Sequence, residues 1–196
     1  HHLRSGGGNR VFLVRDFFVA ADVEIGRLVR LGIESPYETV VVDVDFARHA
    51  ESHLADAVMA IPPVSVAVDE QQLRSYYQRI LGAVSIPVIV QDASGYVGRP
   101  MSIALQAELF HEYGPRVMYK PEAAPIGPRL TALRDAVGPE AFIFEGSGGI
   151  ALAESHRRGI NGTMPGADLI DALVALWNAL EQGDGQRVNQ ISLPLC

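Results

Sequence analysis

Short, almost wholly apolar runs alternate with amphipathic stretches along most of this chain, and that rhythm limits the fold more than any other feature. The strand candidates are residues 11–14, 39–44, 57–61, 86–91, 116–120, 141–145 and 162–164. Helical candidates lie between them at 46–54, 70–84, 101–113, 128–137, 150–158 and 167–181. A run such as Ile86-Pro87-Val88-Ile89-Val90 shows no polar alternation, as expected of a strand covered on both faces. A repeat of roughly 25–30 residues is that of βαβ units with right-handed crossovers. An open doubly wound sheet and a closed (β/α)8 barrel both satisfy it. Polar residues at the carboxyl ends of the strands favour the barrel, because barrel active sites collect on that face. Gln91-Asp92, Lys120, Glu145-Gly146-Ser147 and Thr163 all fall there.

Length complicates this picture. A barrel of this kind typically takes about 250 residues, whereas the chain has 196. The first two strand candidates are weak. The opening His1 to Asn9, with Gly6-Gly7-Gly8, reads as a tag remnant, linker or misread start. The chain stops at Leu193-Pro194-Leu195-Cys196, just after a helical segment begins. The expectation is an α/β chain that forms a (β/α)8 TIM barrel, incomplete at its N-terminal strands and cut short at its C-terminus. Residues 46–196 are expected to form the barrel domain and residues 1–45 an unmatched segment.

Composition narrows the function classes. Hydrophobic residues make up 48% of the chain and mean hydropathy is +0.14, which suits a buried globular core. The net charge of -7 and pI near 5.3 argue against nucleic acid or an anionic membrane as partner, since both require a positive face. No apolar run reaches the roughly 18 residues of a membrane span, and no signal-peptide pattern opens the chain. The one cysteine, Cys196, is the last residue, so no internal disulfide is possible and a reducing cytoplasm is expected.

The chain contains one lysine, Lys120, against fifteen arginines. It ends the apolar run Arg116-Val117-Met118-Tyr119 and precedes Pro121. Arginine has filled the ordinary surface roles of a cation. A guanidinium stays protonated and forms no imine, whereas a neutral ε-amine does. A lone lysine at a strand's carboxyl end is therefore a Schiff-base candidate; the competing reading is a surface lysine.

Other candidates surround it. Gln91 suits a hydrogen-bonding role in a pocket. Asp92 either moves protons or starts a turn before Ser94-Gly95. Glu122, two residues beyond Lys120, either acts on the ammonium or belongs to a rigid loop bracketed by Pro121 and Pro125. Gly146-Ser147-Gly148-Gly149 precedes a helical stretch, where backbone amides cradle a carboxylate or phosphate or simply turn the chain. Gly146, Ser147 and Gly148, with Thr163 and Met164 at the last strand end, are the expected substrate contacts. His49 and His53 stand four apart but lack the His-Glu-x-x-His order of a zinc site, so no metal is expected. No organic cofactor is expected either.

Several segments, in order, are similar to the dihydrodipicolinate synthase / N-acetylneuraminate lyase family of pyruvate-type class I aldolases. They are Phe46-Ala47-Arg48-His49-Ala50-Glu51, Ala55-Asp56-Ala57-Val58-Met59-Ala60-Ile61-Pro62-Pro63, Tyr76-Tyr77-Gln78-Arg79-Ile80, Ile86-Pro87-Val88-Ile89-Val90-Gln91-Asp92, Val117-Met118-Tyr119-Lys120-Pro121-Glu122-Ala123, Gly159-Ile160-Asn161-Gly162 and Arg187-Val188-Asn189-Gln190-Ile191-Ser192-Leu193-Pro194-Leu195. They cover about three quarters of the chain, and it is their ordered set that carries the resemblance. The resemblance implies that Lys120 is the Schiff-base lysine at the end of the family's sixth strand.

The departures matter equally. Where the family carries a proton-relaying tyrosine at the end of its fifth strand, this chain has Gln91 and then Asp92. Val64 and Ser65 hold the place of a family tyrosine pair. The family's Gly-Thr-Thr-Gly-Glu loop has no counterpart in residues 1–45. The resemblance thus implies a lyase or aldolase on a small pyruvate-like 2-keto acid, other than dihydrodipicolinate synthesis. Lys120, Gln91 and Asp92 would be its catalytic residues, and the intact protein would be a homo-oligomer. Two alternatives stand beside it: a phosphate-binding (β/α) barrel enzyme using residues 146–149, and a catalytically inactive fragment.

Overall fold

The computed structural model describes residues 18–19, 36–63, 67–93, 99–165 and 169–195. The expected strand at 11–14, the opening His1 to Asn9, Val64 with Ser65, the Ser94-Gly95 turn and Cys196 lie outside them.

Six strands and seven α-helices follow one another in the described residues. They are β1 (Phe18–Val19), α1 (Pro36–Ser52), β2 (Val58–Ala60), α2 (Glu70–Ala83), β3 (Val88–Asp92), α3 (Ile103–Tyr113), β4 (Val117–Pro121), α4 (Ile126–Val137), β5 (Phe144–Glu145), α5 (Leu152–His156), β6 (Gly162–Thr163), α6 (Ile170–Glu181) and α7 (Gly185–Ser192). The strands expected at 57–61, 86–91, 116–120, 141–145 and 162–164 are all present, within a few residues of their expected bounds.

Two expectations at the start need correction. Residues 39–44 are not a strand but part of the single helix α1, which also crosses the boundary expected between residues 45 and 46. A short apolar run does not by itself separate strand from helix. Pro36 opens the helix, a position where its missing N–H costs nothing. The first strand of the sheet is instead Phe18–Val19, where no strand was expected.

Neighbouring strands pair in parallel and in sequence order. β1 pairs with β2, β2 with β3 and β3 with β4, and a bridge from Tyr119 to Ile143 continues the series toward β5, which pairs with β6. A doubly wound sheet reverses its strand order at a switch point. A barrel wall does not, so this order decides between the two architectures left open by the sequence.

Local chemistry sets the helix ends. Asp69 caps α2 by accepting from Gln72 N at 2.8 Å, while Gln72 Oε1 accepts from Asp69 N at 2.9 Å. Ser102 caps α3 by accepting from Leu105 N at 3.0 Å. Gly138, at φ +75, closes α4, and its N–H donates to Arg134 O at 2.9 Å.

Strand alternation divides the buried residues between two faces. Val58, Val88, Val90, Val117, Tyr119 and Ile143 pack outward against helix residues such as Leu81, Leu105, Leu109 and Leu133. Ala57, Met59 and Ile89 form a separate inner cluster with Met118 and Met164 against it. Met59, Ile89 and Met118 are successive register partners, so this cluster is one layer across the inner face.

Candidate functional site

Gln91 and Lys120 are the next inward positions beyond that layer. They are register partners across β3 and β4, as Ile89 and Met118 are two residues earlier. The pairing runs one residue further than β4 itself, because Glu122 N donates to Asp92 O at 3.2 Å. That bond holds Glu122 on the same face as Lys120, one level higher.

The three side chains meet. Lys120 Nζ lies 2.8 Å from Glu122 Oε1, with side chains only 12% and 18% exposed. Gln91 Nε2 donates to Glu122 Oε2 at 2.9 Å. Each carboxylate oxygen of Glu122 therefore has its own partner. Gly146 makes room for this arrangement. A Cβ there would lie 2.5 Å from Glu122 Cγ and 2.7 Å from Glu122 Oε1. Lys120, Gln91, Glu122 and Gly146, separated by up to 55 positions, thus form one cluster at the carboxyl ends of β3, β4 and β5.

Asp92 stands apart from the cluster. Its side chain points to the opposite face of β3 and is 1% exposed. Oδ1 accepts from Met101 N at 3.0 Å and Oδ2 from Arg129 Nη2 at 2.9 Å. Arg129 also donates to Met101 O. Asp92 therefore ties the segment before α3 and the start of α4 to the strand. Its carboxylate is engaged by an arginine and an amide rather than aimed at Lys120, which corrects the expectation of a proton-moving role.

The glycine-rich turn also differs from its expected use. Ser147 N donates to Glu145 Oε1 at 2.5 Å, and Ser147 Oγ accepts from Ala151 N at 2.9 Å. Thr163 Oγ1 donates to Glu145 Oε2 at 2.8 Å. Two of the five expected substrate contacts, Ser147 through its amide and Thr163 through its hydroxyl, thus serve Glu145, whose carboxylate is fully buried. A negative charge already seated on the turn opposes a second anion there. Gly148 and Gly149, at φ +72 and +96, take the left-handed backbone that the turn requires. Met164 packs against the inner cluster of Ala57, Met59 and Ile89. Gly146 belongs to the site as the neighbour of Glu122. The structure favours the first of the two readings of Glu122, and its i, i+2 spacing from Lys120 on an extended segment is the sequence signal for a shared face.

Among the described residues no group of three or more His, Cys, Asp and Glu side chains is placed to hold a metal. No helix among them is long and apolar enough to cross a membrane.

No family model matches the chain. Individual proteins do. L-2-keto-3-deoxyarabonate dehydratase of Azospirillum brasilense is 30% identical over 181 residues, covering 87% of this chain and 57% of that protein. 4-Hydroxy-tetrahydrodipicolinate synthase of Bartonella quintana (strain Toulouse) is 26% identical over 156 residues, covering 78% and 53%. The solved structure of Ruminococcus gnavus sialic acid aldolase superposes with a TM-score of 0.72 at 22% identity, over 79% of this chain and 51% of that one. The chain is similar to proteins of the dihydrodipicolinate synthase / N-acetylneuraminate lyase family. Its fold is the TIM barrel of that family, of which the described residues supply six consecutive strands. The chain spans about half the length of the curated relatives it matches.

Proposed function

We propose that the whole protein is a lyase or aldolase that acts on a 2-keto acid through an imine at Lys120. The observation that carries this reading is the setting of Lys120. The chain's single lysine is the penultimate residue of β4, on the inner face, little exposed, with a carboxylate 2.8 Å from Nζ. Carbinolamine formation joins Nζ to the keto carbon, and loss of water gives the protonated imine. The imine then draws electrons from the neighbouring bond, stabilising the enamine that follows carbon–carbon cleavage or proton loss. Gln91, where the family tyrosine is absent, keeps the Glu122 carboxylate in place instead of carrying a phenolic proton.

A relative's name supports the choice of substrate class. A relative at 30% identity is named as a dehydratase of L-2-keto-3-deoxyarabonate. A hydroxylated 2-keto-3-deoxy acid of that kind is the first substrate to try beside pyruvate. The buried Glu145 carboxylate on the Ser147 amide speaks against the phosphate-binding alternative.

The test is borohydride reduction of the intact protein in the presence of pyruvate or a 2-keto-3-deoxy acid, followed by peptide mass spectrometry. A reduced adduct on the peptide that contains Lys120 is expected. A folded, intact protein that yields no adduct with several 2-keto acids would sink the reading.

A further inference from the structure

We propose that Glu122 is the residue that moves protons at Lys120, first as base and then as acid. This rests on the imine reading above and deepens it. Three observations carry it. Glu122 Oε1 is 2.8 Å from Nζ, the reacting atom. Gln91 holds the other oxygen at 2.9 Å, which fixes the rotation of the carboxylate. Gly146 leaves open the volume that Glu122 occupies, so the neighbouring loop is shaped around this side chain.

The chemistry needs such a group. An ammonium has no lone pair for attack, so a protonated Lys120 must first give up a proton. Transfer of one proton from Nζ to Glu122 Oε1 leaves a neutral amine beside a carboxylic acid. The amine adds to the keto carbon: the N–C bond forms and the carbonyl π pair moves to oxygen. A proton passing from the new ammonium to that oxygen gives the neutral carbinolamine. Glu122 then returns its proton to the hydroxyl as the C–O bond breaks, and the nitrogen lone pair forms the C=N bond. Water leaves, and the protonated imine is left paired with the Glu122 carboxylate. Atoms and charge balance: an ammonium and a ketone become an iminium and water. At 2.8 Å from Nζ, with side chains 12% and 18% exposed, the Glu122 carboxylate is within direct proton-transfer distance of the reacting nitrogen.

The experiment compares the intact wild-type protein with Glu122→Gln, which keeps the shape but cannot accept a proton from Nζ. The rate of borohydride-trappable adduct formation is measured against 2-keto acid concentration, with circular dichroism as the check on folding. The saturating rate is expected to fall about 10²-fold while the half-saturating concentration changes less than about threefold. A fall of less than about tenfold in a folded Glu122→Gln protein overturns the proposal and leaves the imine reading standing. Failure of the wild type itself to form an adduct removes both. If Glu122→Gln does not fold, Glu122→Asp takes its place. Its carboxylate, one methylene further from Nζ, is expected to slow trapping by at least about tenfold, and a wild-type rate there overturns the proposal equally.

Discussion

Gly146 and Glu122 occupy what would otherwise be one side-chain volume: a Cβ on Gly146 would stand 2.5 Å from Glu122 Cγ. The glycine is required here for space, since its backbone is outside the left-handed region. Gly146→Ala should therefore act on chemistry through Glu122. Crowding of this kind costs about 1–3 kcal/mol. The displaced carboxylate should slow adduct formation at Lys120 by about tenfold or more. Adduct rates and urea midpoints measured side by side would expose the opposite case, a destabilised protein with an unchanged rate.

Lys120→Arg keeps a cation beside Glu122 but removes the nucleophile. Adduct formation should drop to background while the fold is retained. Because Lys120 is the single lysine of the chain, residual labelling in this segment would have to lie elsewhere, and an adduct persisting at wild-type level would refute the assignment.

The Asp92–Arg129 pair predicts a loss of stability rather than of chemistry. Asp92 is 1% exposed and each of its oxygens accepts a hydrogen bond. Asp92→Ala leaves Arg129 without its partner carboxylate and Met101 N without its acceptor. Removing one member of a buried ion pair costs about 3–5 kcal/mol. Urea unfolding should show this loss, and the folded fraction should still form the adduct. A stable Asp92→Ala protein that forms no adduct would return Asp92 to the reacting groups.

Tyr119 sets an alkaline limit. Its hydroxyl donates to Gln106 O at 2.8 Å, and burial holds its pKa well above the usual tyrosine value near 10. The folded state therefore binds this proton more tightly than the unfolded state. The resulting stability is complete below the unfolded pKa and is lost as pH rises through and beyond it. Tyr119→Phe should cost about 1 kcal/mol at neutral pH through the lost hydrogen bond. It should also flatten the fall in urea midpoint between about pH 9 and 11. An alkaline limb equally steep in both proteins would point to other groups.

The parallel strands from β2 to β6 and the helices between them were legible because their signals are local. Apolar runs of strand length, caps such as Asp69 and Ser102 and stops such as Gly138 act within a few residues. The scarcity and placement of Lys120 were likewise plain in the sequence. Residues 39–44 were not, because β-branched apolar residues satisfy helix and strand equally until their neighbours are known.

The sequence by itself determined the βα rhythm, the strand-end position of Lys120 and the family resemblance. Tertiary structure alone decided which polar residues share its face. Gln91 and Asp92 are adjacent in the chain, yet the two-residue period of a strand turns one toward Glu122 and the other toward Arg129. Ser147 and Thr163 look like substrate contacts until the buried carboxylate of Glu145 is seen to engage both. Glu122 acquires its role because parallel pairing of β3 with β4 brings Gln91 to it across 31 residues, and because Gly146 leaves it space. Composition and spacing record what each residue can do, whereas strand register and the faces it creates select the partners with which it does so.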